Sequence, residues 1–226
     1  MTAEVHKSPY EVRFLAEDPG DAAALLILPM ATAGEIAIGR ALAGDARIIA
    51  VDGGYDRCLE NDLTVDLFVG DGDSVARPPQ SIPTQEFQAD KSFSDLHGAL
   101  QSLPQSRQRI VVAGVSGGRI DHQWINVHEL AVAAGRVAGI AAIGFDGLLF
   151  VTSGGVEIVL PEGTLFSILA LVGEPRVTLR GARYELARER LSCPSHGLSN
   201  VSCGRVELEC AKGVVALIVP DSVPPE

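Results

Sequence analysis

Short apolar runs alternate with helical stretches over the first two thirds of the chain. Several runs are apolar at nearly every position, as strands covered on both faces are. They predict strands at Ala24–Leu28, Arg47–Val51, Leu67–Val69, Arg109–Ala113 and Gly139–Ile143. Helices are predicted between them, the last two from apolar residues at helical spacing, at Ala33–Ala43, Tyr55–Asn61, Ser94–Leu103 and Asp121–Ala134. Strands that alternate with helices in this way predict an open parallel α/β sheet.

The pattern changes after about Leu149 to strands of alternating polarity separated by turn residues. These predicted strands are Gly155–Leu160, Leu165–Val172, Val177–Arg183, Arg205–Cys210 and Val214–Val219. We therefore predict two domains. The first is a Rossmann-like, mainly parallel α/β domain over residues 1–150, and the second is an all-β sandwich over residues 151–226.

The composition is that of a folded protein, with 226 residues of which 46% are hydrophobic and 21% charged. A net charge of −11 argues against nucleic acid or an anionic membrane as a partner, because both need a basic face. No apolar run approaches the roughly 20 residues of a membrane span. Because residues 1–7 lack a secretory pattern, we predict a cytoplasmic protein. The four cysteines include no C-x-x-C pair and are predicted to be free thiols.

Acidic and glycine residues follow the predicted parallel strands, at the sheet edge where ligands collect. Asp52-Gly-Gly follows one strand, and Gly70-Asp71-Gly72-Asp73-Ser74 follows the next. Asp71 and Asp73 are two residues apart and can share a hard cation such as Mg²⁺. The alternative is an ordinary polar turn, which uses the same residue types.

A glycine-rich segment, Gly114 to Arg119, links a strand to a helix and suggests a phosphate site. Backbone N–H groups at Gly117 and Gly118 and the guanidinium of Arg119 can bind phosphate beside a helix N-terminus. The alternative is an ordinary loop before the helix. Asp121 serves either as a helix cap or as a metal or base contact, and the sequence does not separate these roles.

The same segment also matches G-x-S-x-G, the nucleophile elbow of the α/β-hydrolases. That hypothesis makes Ser116 a nucleophile, with Asp146 and His196 as its partners. It leaves too few strands after the serine and gives Asp71, Asp73 and Asp95 no role. Trp124, on the helix that follows, is predicted to be a core residue rather than a stacking platform.

Taken in order, these motifs resemble the thiamine pyrophosphokinase family from about Ala24 to Val219. The matching segments are Asp52-Gly-Gly, Gly70-Asp-Gly-Asp-Ser, Ser94-Asp95, Gly117-Gly-Arg-Ile-Asp-His122 followed by Asn126, Gly197-Leu-Ser-Asn200 and the strand from Gly213. The resemblance implies transfer of the β,γ-diphosphate of ATP to the hydroxyl of thiamine, giving thiamine diphosphate and AMP. It also implies that Mg²⁺ is required.

The resemblance assigns roles to individual residues. The Mg²⁺ ligands are Asp71, Asp73 and Asp95, and Asp121 joins them as a catalytic residue. The residues that bind ATP are Asp52, Lys91, Ser116, Gly117, Gly118 and Arg119. Ser199 and Asn200 contribute to the thiamine pocket, which in this family lies between the catalytic domain of one subunit and the sandwich of the other. A homodimer is therefore expected.

The chain also departs from the family pattern. Ser92 stands where the helix-opening motif usually has Asp, and the sandwich has no Trp to stack on thiamine. Two alternatives follow from these departures. One is the same reaction on another hydroxymethyl heterocycle, such as a pterin, and the other is a nucleotide-binding module without turnover.

Overall fold

The computed structural model describes residues 10–18, 22–76, 79, 81–88 and 91–220. Within these ranges the helices are α1 Ala33–Ala43, α2 Gly54–Glu60, α3 Asp95–Ser102 and α4 Ile120–Ala133. The strands are β1 Glu11–Phe14, β2 Ala24–Ile27, β3 Ile48–Val51, β4 Leu67–Gly70, β5 Thr84–Glu86, β6 Arg109–Ala113, β7 Gly139–Gly144, β8 Gly147–Thr152, β9 Gly155–Val159, β10 Leu165–Ala182, β11 Leu186–Arg190 and β12 Asn200–Val219. No helix in these ranges is long and apolar enough to cross a membrane. The prediction that the chain lacks a secretory signal rests on residues 1–7, which lie outside the described ranges.

Six strands form the parallel part of the sheet, in the order β7-β6-β2-β3-β4-β5. Every residue of β2 is buried. Leu25 and Ile27 belong to the core that includes residues of α1 and α2, whereas Ala24 and Leu26 belong to the core that includes residues of α3 and α4. Helices therefore cover both faces, as the continuously apolar strands predict.

The sheet continues beyond β7 with antiparallel strands. β8 pairs with β7, β12 with β8 and β9, and β1 with β9, all antiparallel. The α/β class is confirmed, but the prediction of a mainly parallel sheet is wrong, because the sheet is mixed. Its direction reverses at Phe145 and Asp146, which both have φ of 55° and make a two-residue hairpin turn. Asp146-Gly147 between two apolar runs is a hairpin signal, but the reversal was not predicted.

Strands alone make up the β region, which we define as residues 151–220. The four predicted strands between residues 165 and 219 merge into two long ones, β10 and β12. β12 pairs with β9 near its start and with β8 near its end. Between these partners lie Lys212, with φ of 62°, and Gly213, with φ of 149°. The predicted domain boundary at residue 150 falls within β8, and the division into two domains stays a prediction.

The prediction that Trp124 is a core residue is wrong. Its side chain is 65% exposed, and Ile120 one turn earlier is 71% exposed. The residues of α4 that are buried lie in its C-terminal half, at Leu130, Ala131 and Ala133. The N-terminal half of α4 therefore presents apolar side chains to solvent. The prediction of free thiols is confirmed, because all four cysteines are unpaired.

Candidate active site

The ends of β3 and β4 bring three aspartates together. Asp52 follows β3, and Asp71 and Asp73 follow β4. One carboxylate oxygen from each lies within 4.8 Å of the others. Gly70 allows this close approach, because a Cβ atom there would lie 3.1 Å from the Cα of Asp52. The neighbouring parallel strands thus place acidic groups at one point of the sheet edge, as the sequence predicts.

Hydrogen bonds within the turn fix two of these carboxylates. The backbone N–H of Asp73 donates to Asp71 Oδ1 at 3.2 Å. The hydroxyl of Ser74 donates to Asp73 Oδ1 at 2.8 Å. Asp52 and Asp71 are half-buried, whereas Asp73 is exposed. The group is therefore open to solvent on one side.

Lys91 connects this group to Asp95, the first residue of α3. Its Nζ donates to Asp71 Oδ2 at 3.2 Å and lies 3.1 Å from Asp95 Oδ1. Asp95 is held at the helix start because Ser94 caps α3, accepting a hydrogen bond from the N–H of His97 at 3.1 Å. Of the predicted metal ligands, the structure groups Asp71 and Asp73 with Asp52, and it joins Asp95 to them through Lys91.

The electrostatics of the site differ from one carboxylate to the next. Burial is the largest influence on Asp52 and on Asp95, and it raises the pKa of each. The hydrogen bond from the N–H of Asp73, with the help of Lys91, lowers the pKa of Asp71. Desolvation acts to lower the pKa of Lys91, but its interactions with Asp95 and Asp71 outweigh this and raise it.

Two oxygens of the site are buried and accept no hydrogen bond from the described residues, Asp52 Oδ1 and Asp95 Oδ1. A buried carboxylate oxygen without a donor is costly unless a cation or water satisfies it. Asp95 Oδ1 has only the ion-pair distance to Lys91. Hard oxygen ligands that face an open cleft are the kind that Mg²⁺ prefers, so these residues fit that ion.

A cavity of about 430 Å³ lies beside the carboxylates. Its apolar wall comes from Leu28, Pro29 and Met30 after β2, and its other sides come from Asp52, Asp95, the glycine-rich loop and α4. On α4, His122 and Asn126 face the cavity one turn apart. Both residues belong to the segments that resemble the family, but neither was predicted as a site residue.

The glycine-rich loop lies close to the segment after β2. Gly114, with φ of 85°, leaves no room for a side chain, because a Cβ atom would lie 2.5 Å from the backbone nitrogen of Ala31. Gly117 and Gly118 also have positive φ and line the cavity. The side-chain amide of Asn126 donates to the carbonyl of Val115 at 3.0 Å and fixes the loop.

Arg119 and Asp121 form an exposed ion pair at the mouth of the cavity. Arg119 Nε and Nη2 donate to the two carboxylate oxygens of Asp121 at 3.1 and 2.5 Å. The hydrogen bond from Arg119 is the main reason that the pKa of Asp121 is lowered. Arg119 lines the cavity, but Asp121 is not part of the group formed by Asp52, Asp71 and Asp73.

The hydroxyl of Ser116 holds the turn between β7 and β8 rather than facing a catalytic histidine. Its Oγ accepts a hydrogen bond from the N–H of Phe145 at 2.6 Å, in the turn between β7 and β8. Among the described residues, no histidine is bonded to this hydroxyl. His196 instead lies 3.9 Å from Glu189 in the β region. The geometry therefore does not support a Ser116–His196 pair.

Ser199 and Asn200 lie in the β region and do not line the cavity. Asn200 is buried, and its side chain is used within the fold, accepting from the N–H of Tyr184 at 3.0 Å and donating to its carbonyl at 2.7 Å. Ser199 is exposed, and its N–H donates to the hydroxyl of Ser167 at 3.1 Å. Within one chain, these two predicted thiamine contacts are not brought to the carboxylates.

Comparison with known families assigns the region that holds the carboxylates. Residues 39–138 match the family model of the thiamin pyrophosphokinase catalytic domain. This stretch is therefore similar to the catalytic domain of the thiamine pyrophosphokinases. The resemblance found in the sequence is confirmed, and so are the predicted thiamine diphosphokinase function and its enzyme class, an ATP:thiamine diphosphotransferase. No curated protein sequence matches the chain.

Solved structures show the same fold. Thiamine pyrophosphokinase from Bacillus subtilis is similar with a TM-score of 0.68 and 19% identity, covering 87% of this chain and 98% of that one. Thiamin pyrophosphokinase from Candida albicans has a TM-score of 0.66 and 17% identity, covering 94% and 99%. A family protein from Enterococcus faecalis has a TM-score of 0.64 and 22% identity, covering 91% and 100%. At these identities the likeness concerns the fold.

Proposed function

We propose that the cleft beside Asp52, Asp71 and Asp73 is where the diphosphate of ATP passes to thiamine. The observation that carries this is the group of three carboxylates within 4.8 Å, next to a cavity bordered by the glycine-rich loop. Phosphoryl-type transfer depends on positioning and charge neutralisation more than on covalent chemistry. A cation site beside a phosphate-binding loop supplies both.

Mg²⁺ is the ion we assign to the carboxylates. Asp52, Asp71 and Asp73 would hold it, and Asp95 lies on the far side of Lys91 as a further acidic group. When bound, Mg²⁺ neutralises negative charge on the phosphate oxygens. The predicted ligand set of Asp71, Asp73 and Asp95 differs from this grouping by one residue.

Protein groups on the opposite side of the cavity would position the phosphates. Gly117 and Gly118 line the cavity and would offer backbone N–H groups, and Arg119, which also lines it, would add a guanidinium. Lys91 places a second positive charge beside Asp71. In the transfer, the thiamine hydroxyl releases its proton to solvent and its oxygen bonds to the β-phosphorus. The bond from that phosphorus to the oxygen of the α-phosphate breaks, leaving AMP.

Thiamine would bind where a second subunit completes the cleft. Ser199 and Asn200 do not line the cavity of their own chain, so the proposal places the partner subunit's β region over it. The homodimer and the role of Ser199 and Asn200 are part of this proposal. The cytoplasmic location stays a prediction.

The deciding experiment measures AMP release from ATP and Mg²⁺ with thiamine as the acceptor. A parallel panel contains pterin and other hydroxymethyl heterocycles. Thiamine-dependent AMP release supports the proposal. Release only with another heterocycle would reassign the acceptor, and nucleotide binding without release in any reaction would indicate a module that has lost turnover.

A further inference from the structure

A second concave surface lies in the β region. It encloses about 880 Å³ and is bordered by the turn after β1, the β8–β9 turn, strands β10 and β11, and the bend of β12. Four basic side chains line it, and we call it the basic groove: Arg176, Arg180, Arg188 and Lys212. None of them lines the cleft beside Asp52.

The groove is positive in a chain whose net charge is −11. Among the described residues, Glu209 is the only acidic one that lines the groove, and it pairs with Arg180 at 2.7 Å. Arg180 also lies 3.4 Å from Glu207. Among the described residues, Arg176, Arg188 and Lys212 form no ion pair or hydrogen bond with a carboxylate. Three cations in one concavity are therefore available to an anion.

Three separate elements supply these cations, so they are not a local run of charge. Arg176 and Arg180 lie on the outer face of β10, where alternate residues such as Val177 are buried. Arg188 comes from β11, and Lys212 from the bend of β12. Both have positive φ, 58° and 62°. The fold brings the four side chains to one place.

The predicted thiamine contacts, Ser199 and Asn200, do not line the groove. Ser167, which is bonded to Ser199, lies near the start of β10, and Arg176 lies nine residues later on the same strand. Across β12, Ser167 is opposite Ile218 and Arg176 is opposite Ala211, on either side of the bend at Lys212 and Gly213. The two places are therefore separate sites on one strand.

We propose that the basic groove binds a small molecule that carries a diphosphate or triphosphate group. Arginine side chains bind phosphate oxygens through paired N–H donors, and several together favour a multiply charged anion. The volume lies in the range of small-molecule sites. Leu15, Ala187 and Ala211 add an apolar border against which a ring can pack. The net charge of the chain disfavours nucleic acid as the source of the phosphates.

The test is calorimetric titration of the full chain with inorganic diphosphate, ATP and thiamine diphosphate in separate runs. EDTA is present throughout, so that the carboxylates of the cleft hold no metal and repel the phosphates. We expect Arg176→Ser/Arg188→Ser to weaken binding about tenfold or more. The three ligands distinguish the sources: inorganic diphosphate tests the phosphate group alone, and the other two test for a base or a thiamine ring.

The matched control is Arg13→Ser/Arg183→Ser, which removes the same charge from two exposed arginines outside the groove. It should change affinity by no more than about twofold. Equal losses in both double variants would show general charge attraction and overturn the proposal. Undetectable binding to the wild type would also overturn it. If Lys91→Met weakens binding and the groove variant does not, the ligand lies in the cleft and the proposal is wrong. Thermal unfolding confirms that each variant is folded.

Discussion

Asp52 shows how one residue of the site affects stability. Burial raises its pKa above the ordinary value of 3.8, and the charges of Asp95 and Asp73 raise it further, against hydrogen bonds from Ser74 and Gly53. The folded state thus holds this proton more tightly than the unfolded state. The contribution of Asp52 to the free energy of unfolding is therefore largest below pH 3.8. It is lost as the pH rises through the raised pKa of Asp52.

We expect Asp52→Asn to raise the Tm of the metal-free protein at neutral pH, because it removes a charge that burial disfavours. Asn also accepts the φ of 46° found at this position. In a chain of this length, each kcal/mol shifts Tm by about 2–4 °C. Thermal unfolding should show the advantage shrinking as the pH falls through the raised pKa of Asp52, where the wild type takes up its proton. An unchanged Tm at neutral pH contradicts this account.

Asp71→Asn and Asp73→Asn test the cation site directly. Each should lower kcat/KM about a hundredfold or more, since a bound metal contributes several kcal/mol to transition-state stabilisation. Circular dichroism should show an unchanged fold. Asp62→Asn is the matched control, because Asp62 is exposed and lies outside the cleft. Near-normal activity in both site variants would remove the metal assignment.

Ser116→Ala separates a structural serine from a nucleophile. It removes the acceptor for the N–H of Phe145, so we expect a stability loss of about 1 kcal/mol and substantial remaining activity. Ser153→Ala, which loses one hydrogen bond to the carbonyl of Ala134, provides the comparison for stability. Full inactivation, together with labelling of the wild type by a serine-directed phosphonate, would revive the hydrolase hypothesis.

The residues of the site could be predicted where local sequence decides their place. Asp71 and Asp73 follow a buried strand, and a turn carries both. The grouping of Asp52 with them, rather than Asp95, depends on the approach of β3 to β4 at Gly70, which spacing along the chain does not specify. The exposure of Trp124 could not be predicted either, because helical spacing does not show how far α4 extends beyond the residues that it packs against.

At the scale of elements, the N-cap of helix α3 positions a carboxylate of the site, Asp95. Ser94→Ala removes the hydrogen bond to the N–H of His97 and should cost about 1 kcal/mol of stability. Activity should fall by more than the loss of folded protein explains, because Asp95 is the first residue of α3 and depends on the cap for its position. Ser94→Thr keeps the hydroxyl and should restore both properties.

The control for the α3 cap is Thr32→Ala at the start of α1. Thr32 and Glu35 form a capping box there, and α1 carries none of the site carboxylates. We expect a similar fall in Tm with activity largely retained. If the two variants lose activity equally, the cap of α3 has no special role in placing Asp95.

The elements that sequence predicted best were those with strong local signals. α1 has its capping box and β6 is continuously apolar, and both have the predicted bounds. β5, with the sequence Thr-Gln-Glu, has no apolar pattern because it is the last strand of the parallel part. The sequence pattern divided β10 and β12 into two predicted strands each. Turn residues such as Gly173 and Gly213 lie inside these strands, which continue beyond them.

At the scale of the whole molecule, the proposed function places each active site between two chains. Asp73 is grouped with Asp52, which lines the cavity, whereas Ser199 lies in the β region and does not border the cavity. A two-fold dimer can place the β region of each subunit over the cleft of the other, and symmetry then makes two equal sites. Each site would contain one Asp73 and one Ser199 from different subunits.

This arrangement predicts complementation between two inactive variants. Asp73→Asn disables the cleft half, and Ser199→Trp blocks the exposed acceptor half with a large side chain. Each homodimer carries one lesion in both of its sites. In the mixed dimer, one site receives both lesions and the other receives neither, so activity should return to about half of the wild-type value.

The mixed species is obtained by co-expression and purification through two different tags, and AMP release is measured beside both parents. A control dimer joins Asp73→Asn to Asp71→Asn, whose lesions fall in the same half and leave no intact site. Recovery in the first mixed dimer and not in the second supports a pocket shared between subunits. If neither recovers, or if the wild type sediments as an active monomer, each chain must build its own acceptor pocket. Ser199, which does not line the cavity of its own chain, would then have no role in binding thiamine.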